Sequence, residues 1–163
     1  MNIIIHDLNQ VEEKTIVNCS QKDTVIISDN GKINPCIGCF GCWVKTPGQC
    51  VIKDGFDNLG KLWSKCNRLI IISKCYYGGF SPFVKNVIDR AVCPYQLPYF
   101  TKINGEMRHP KRYKNNIELS IHFYGEMTEN EKETARMLGN KLLIIELSSI
   151  DFYGSHEEIK GVL

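Results

Sequence analysis

The sequence predicts a three-layer α/β protein, a parallel sheet with helices on both faces. Two observations predict it. Runs of strand length alternate with segments of helical spacing, in the order strand, helix, strand, helix, strand. The strand candidates Ile3-Ile4-Ile5 and Arg68–Ser73 are nearly continuous apolar runs, as expected of strands buried on both sides. Repeated β-α-β units with right-handed crossovers generate such a sheet, and its ligands sit beyond the carboxyl ends of the strands. The loops at 6–10, 29–50, 74–80 and 124–127 are therefore the ones to examine.

Asn2–Leu8 reads as the first strand and its exit loop, and Thr24–Ser28 as the second, closed by the turn Asp29-Asn30-Gly31. The interval between them leaves room only for a short helix. The segment 36–50 contains Gly38, Gly41, Pro47 and Gly48 and reads as a loop or a set of tight turns. Phe56, Leu59, Leu62 and Trp63 recur at three- and four-residue spacing, which predicts an amphipathic helix. Arg68–Ser73 is the most hydrophobic strand and the central one. It ends in Tyr76-Tyr77-Gly78-Gly79-Phe80, after which Ser81-Pro82 supplies an N-cap and a first-turn proline for a helix that stops near Pro94. Residues 94–116 hold three prolines and read as an irregular excursion. Ile117–Tyr124 alternates, with Ile117, Leu119, Ile121 and Phe123 on one side. Thr128-Glu129-Asn130-Glu131 is a capping box opening a helix through Ala135, Leu138 and Leu142. A last strand is expected near Leu143–Leu147.

The 163 residues, 43% hydrophobic and 23% charged, suit one soluble domain spanning 1–163 with a real core. Twenty basic against 18 acidic residues leave a net charge of +2, which argues against a nucleic-acid or anionic-membrane binder. The longest apolar runs are too short to span a bilayer, and the first residues carry no secretory signal, so a cytoplasmic location is expected.

Eight cysteines are many for such a protein, and Cys36, Cys39, Cys42 and Cys50 fall close together in a cysteine-rich loop at 34–54. In a reducing compartment such a group reads as metal-binding or redox-active rather than as a disulfide frame. Thiolates three residues apart on a turning backbone can point at corners of an iron–sulfur cubane, with a fourth closing the set. Zinc sites more often pair two short knuckles across a longer gap. A glycine-rich turn with free thiols is the third reading.

In Tyr76–Pro82, glycines allow backbone amides close to a flat ring, tyrosines offer faces and hydroxyls, and the helix behind favours negative charge. A plain turn before a well-capped helix would also use these residues. Lys85 and Asp89 are placed to pair on one helix face. Arg108, Lys111, Arg112 and Lys114, with His109 among them, read as a solvated loop, with a clamp for nucleotide phosphate as the functional alternative. His6, His122 and His156 are isolated in the sequence.

Taken together, the chain resembles the flavodoxin-like NADPH-dependent FMN reductases, especially their iron–sulfur flavoprotein branch. The residues that carry the resemblance are Pro35-Cys36-Ile37-Gly38-Cys39-Phe40-Gly41-Cys42 with Cys50 and Asp54, then Ser73–Pro82, Lys85 and Asp89-Arg90. The resemblance implies a five-stranded sheet in the order 2-1-3-4-5 and an FMN beyond strands one, three and four, reduced by NAD(P)H. Tyr76, Tyr77, Gly78, Gly79 and Phe80 would embrace the isoalloxazine ring, and Tyr124, Gly125 and Glu126 would lie along its other side. Asn9, in the loop after the first strand, falls at the phosphate end. Cys36, Cys39, Cys42 and Cys50 would hold a 4Fe-4S cluster. Members of the family are usually dimers or tetramers with the flavin near a subunit interface, so a homo-oligomer acting on a small-molecule electron acceptor is implied. One departure stands out. Where the family has a Gly-Ser-Pro-Arg type phosphate loop, this chain reads His6-Asp7-Leu8-Asn9-Gln10-Val11-Glu12-Glu13, without glycine or serine and with three acids. That departure favours a competing expectation, a flavodoxin-like domain without FMN that serves as a metal-thiolate or redox-sensing interaction module.

Overall fold

The computed structural model describes residues 1–17, 23–141 and 145–159. Its main sheet contains β1 (Asn2–His6), β2 (Thr24–Ile27), β3 (Arg68–Lys74), β6 (Glu118–Tyr124) and β7 (Glu146–Tyr153). A separate hairpin holds β4 (Thr101–Ile103) and β5 (Glu106–Arg108). All pairs in the main sheet are parallel and the order is β2-β1-β3-β6-β7, which is the expected 2-1-3-4-5 when main-sheet strands alone are counted. The fold is the three-layer flavodoxin-like α/β arrangement read from the sequence.

Alternation along the strands divides the core. Ile3, Ile5, Leu69, Ile71, Leu119, Ile121 and Phe123 point to one face, where Trp63, Phe83, Val84, Val87 and Ala135 cover them. These covering residues come from α3 (Leu59–Trp63), α4 (Pro82–Tyr95) and α5 (Glu129–Lys141). Ile4, Ile70 and Ile72 point the other way and pack with Leu8 and Ile159. α1 (Gln10–Val17) follows β1 as a short helix.

Several local expectations are met. Ser81 caps α4, its hydroxyl accepting from the Val84 amide while its own amide donates to Ser73 Oγ, and Pro82 takes the first turn. The box at α5 is reciprocal: Thr128 N–H donates to the Glu131 carboxylate, and Glu131 N–H donates to Thr128 Oγ1.

Others are corrected. The helix expected from Phe56 shortens to Leu59–Trp63, because Asp54 Oδ1 captures the Phe56 amide in a turn. The cysteine segment is not all loop; α2 (Gly41–Val44) makes one helical turn within it. The excursion at 94–116 contains the β4–β5 hairpin, turned by Asn104 and Gly105, both at positive φ. The last strand runs to Tyr153 instead of ending near Leu147, and Leu142–Ile144 lie outside the described residues. Its register shifts at Leu119/Ser120, so that Ser120 faces Ser149 and Ser148 is skipped. Among the described residues no helix is long and apolar enough to cross a membrane.

Candidate functional site

β1, β3 and β6 end side by side, and the loops leaving them form one edge. Asp7 ties this edge together: its carboxylate accepts the Lys74 amide through both oxygens (3.0 and 3.2 Å) and the Tyr124 hydroxyl (3.1 Å). Burial and the neighbouring Asp7 charge push the Tyr124 phenol well above its ordinary range, so it stays a proton donor.

Beside it, residues 76–79 form a closed turn in which Tyr76 and Gly79 exchange both backbone hydrogen bonds (2.9 and 2.8 Å). Tyr77 and Gly78 sit at the tip with φ of 52° and 81°. Tyr77 projects into solvent, 88% exposed, and Tyr76 is half exposed with the Lys74 ammonium over its ring. The rest of the run turns inward. A Cβ on Gly78 would lie 2.6 Å from Thr134 Cβ and 2.7 Å from the Glu131 carbonyl oxygen, so this glycine lets the loop close onto α5. Phe80 is buried and stacks on Phe123. Gly79 has an open outer side, where an added Cβ would meet only the Tyr76 carbonyl oxygen at 3.4 Å. Gly125 has φ of 105° with its Cα facing the Lys74 side chain, and Glu126 is exposed beyond it. The edge thus brings Tyr76, Tyr77, Gly79, Tyr124 and Gly125 together around an open rim.

Asn9 is the N-cap of α1. Its side-chain oxygen accepts from the Val11 and Glu12 amides (2.9 and 3.1 Å), its backbone oxygen accepts from Glu13, and its own amide donates to Glu12 Oε2 (2.8 Å). The Leu8 amide donates to His6 Nδ1. Buried His6 is held below its ordinary pKa by desolvation, against the opposing pull of Glu13, Asp7 and Glu12.

The cysteine loop lies elsewhere. It leaves the same edge after β2, but its sulfurs are carried to the far end of α4. Arg90, with its side chain fully buried, clasps both ends of the loop. Nη1 donates to the Asn34 carbonyl and to Asp54 Oδ2 (both 2.8 Å), and Nη2 donates to the Ile52 carbonyl (3.1 Å) and to Asp54 Oδ1 (2.9 Å). The guanidinium holds the Asp54 carboxyl far below the usual carboxylate range. Three residues on, Cys93 faces the loop: its thiol meets those of Cys42 and Cys36, and its carbonyl accepts from the Trp43 indole. Removing the first proton from the Cys42–Cys93 pair is eased, bringing Cys93 down to about 7, and the second is correspondingly harder to remove, which raises Cys42. Cys50 is buried with its sulfur against the Arg90 guanidinium, whose Nε finds no oxygen or nitrogen acceptor among the described residues. Cys39 is exposed and takes no part in these contacts.

The donors are all thiols, so in chemical kind they fit a metal–thiolate centre. As placed, no three His, Cys, Asp or Glu among the described residues converge on one point that could hold a metal ion. Sequence reasoning missed Cys93, which lies outside the motif spacing; its place on α4, three residues after Arg90 and one helical turn from Asp89, is the signal that could have found it. The basic run is mostly structural: Arg112 donates to the carbonyls of Pro94 and Gln96, and Lys111 to that of Asn115.

Within one chain the two regions stand apart. From Ser81 to Cys93 the α4 axis spans roughly 18 Å at about 1.5 Å per residue, which separates the aromatic rim from the sulfurs.

The fold is flavodoxin-like α/β, with an open edge at the ends of β1, β3 and β6. No protein-family model matches the chain. Two curated relatives are iron–sulfur flavoproteins. One, from Methanocaldococcus jannaschii, is 33% identical over 84 residues, 52% of this chain and 40% of that protein. The other, from Archaeoglobus fulgidus, is 38% identical over 68 residues, 42% of this chain and 28% of that protein. The matched stretches therefore span well under half the length of these relatives. The resemblance to iron–sulfur flavoproteins read from the motifs is met by these matches. Among solved structures, an FMN-dependent NADH-azoreductase from Bacillus anthracis, determined in complex with FMN, aligns over 94% of this chain and 86% of its own with a TM-score of 0.53 and 7% identity, a likeness of fold.

Proposed function

We propose that the protein is a flavin-dependent oxidoreductase of the cytoplasm that takes electrons from NAD(P)H and passes them to a small acceptor or to a metal–thiolate centre in the cysteine loop. The observation that carries this reading is the rim at the ends of β1, β3 and β6, where Tyr76, Tyr77, Gly79 and Gly125 border an open edge. The names of the relatives support it, as does the FMN of the fold neighbour. A bound isoalloxazine supplies hydride acceptance and one- or two-electron release. The chain's own part is to hold the ring and tune it. Tyr76 and Tyr77 would offer their faces to its flat surface, held by the closed 76–79 turn, and the N-terminus of α4 behind the loop would favour the negative charge of a reduced ring.

Given the separation along α4, a second copy would be the means of bringing a flavin rim near the sulfurs. Exposed Ile37, Phe40, Val44 and Phe100 around the cysteine loop offer apolar surface for such a homo-oligomer. A second reading, a flavin-free metal-thiolate or redox-sensing module, is favoured by the capped amides of α1 and by the thiol contacts of Cys93 with Cys42 and with Cys36. Anaerobic titration decides between them. The oxidoreductase reading expects FMN fluorescence to be quenched on adding protein, and the bound flavin to bleach with NADH or NADPH. Flavin that stays free at high protein concentration, with metal bound at the thiols, would replace it with the second reading.

A further inference from the structure

We infer that this protein holds a flavin by its ring and not by its phosphate, so that riboflavin binds as tightly as FMN. The inference rests on the flavin reading above and concerns the other end of the same ligand.

In an open parallel sheet, the anionic end of a nucleotide ligand lies at the switch point, against free amides at the N-terminus of the helix that follows the strand there. Here that strand is β1, flanked by β2 and β3, and the helix is α1. Five of the amides there, those of Leu8, Asn9, Val11, Glu12 and Glu13, are already engaged. Val11 and Glu12 donate to the Asn9 side chain, Glu13 to the Asn9 carbonyl, Asn9 to Glu12, and Leu8 to His6. The gap between β1, β3 and β6 holds an anion of the chain's own, the Asp7 carboxylate, which accepts the Lys74 amide and the Tyr124 hydroxyl. Glu12 and Glu13 join Asp7 around His6, and the Glu12 carboxylate lies 3.2 Å from His156 Nε2. Lys74 turns its ammonium to the Tyr76 ring, on the ring side of the rim. A phosphate dianion brought to α1 thus meets donors that are mostly engaged, and three carboxylates. The ribityl chain and ring of riboflavin meet neither obstacle.

The test is a pair of fluorescence titrations with riboflavin and FMN, on the wild type and on Glu13→Gln, at low and moderate salt. The expected result is dissociation constants within about threefold at moderate salt, with FMN the weaker ligand at low salt, where repulsion is unscreened. Glu13→Gln should tighten FMN by roughly two- to fivefold at low salt and leave riboflavin unchanged. FMN binding at least about tenfold tighter than riboflavin, as charge-assisted phosphate contacts would give, overturns this inference alone. An unchanged FMN affinity in Glu13→Gln also counts against it. Failure of both flavins to bind overturns the flavin reading itself.

Discussion

Replacing Arg90 with Met removes a buried cation while roughly keeping its volume. The Asp54 side chain, 7% exposed, would be left charged in the interior without its partner. The carbonyls of Asn34 and Ile52 would lose their donor in the same step. Breaking one side of a buried pair costs about 3–5 kcal/mol. For a domain of this size, that corresponds to a fall in melting temperature of roughly 6–20 °C. Because Arg90 clasps both ends of the cysteine loop, the loop should loosen before the sheet does. Alkylation of Cys42 and Cys50, both buried in the wild type, should therefore speed up at temperatures where the sheet is intact. Circular dichroism melts together with timed iodoacetamide labelling provide the assay. The double variant Arg90→Met/Asp54→Asn should lose less than the sum of the two single changes, since the unpaired charge is gone. A single variant within 1 kcal/mol of the wild type, or unchanged labelling, would refute the clasp.

Three further outcomes follow from the same structure. Gly78→Ala forces a side chain onto a residue at φ 81° and against α5, so it should cost roughly 2–4 kcal/mol in urea unfolding; an unchanged midpoint would show that the loop does not close on α5. Asn9→Ala removes the cap of α1 and should cost about 1 kcal/mol by the same measurement, with no loss contradicting the capping role. Acid should destabilise the fold in two stages. Burial holds His6 and His122 below their ordinary pKa of 6.5, so the unfolded chain binds protons first and stability, full above about 6.5, declines as pH falls towards their folded values. Asp54, also lowered, adds a second loss once pH drops below about 3.8, where the unfolded carboxyl protonates. Stability that is flat between pH 7 and 5 would contradict the histidine stage.

The sheet was legible because β1, β3 and β6 are buried and their apolar patterns leave one reading. The edge was harder. β7 is the edge strand, and its polar Ser148, Ser149 and Asp151, with the register shift at Ser148, hide its alternation beside the more apolar run before it. The β4–β5 hairpin was readable in principle, because Asn104-Gly105 is a strong two-residue turn signal, but three prolines around it mark the stretch as irregular. Site residues divided by direction. Tyr76, Tyr77 and Gly79 stand at the rim, while Phe80 and Gly78 serve the packing behind it, and no local pattern tells a loop residue that stays at the rim from one that faces a helix. Arg90 directly follows the Lys85–Asp89 pair in the sequence. That pair is exposed, as its spacing predicts, whereas Arg90 is drawn inward by Asp54, 36 residues away in sequence. Cys93 escaped notice for the same reason, since only the fold brings α4 to the cysteine loop.

The central claim, that this chain holds a flavin at the rim of its sheet, is tested most directly by the absorption spectrum of protein purified without oxygen, with flavin, iron, sulfide and zinc assayed on the same sample. The account predicts flavin bands, retained or restored on adding riboflavin or FMN, that bleach with NADH or NADPH. A colourless protein that takes up neither flavin would contradict it.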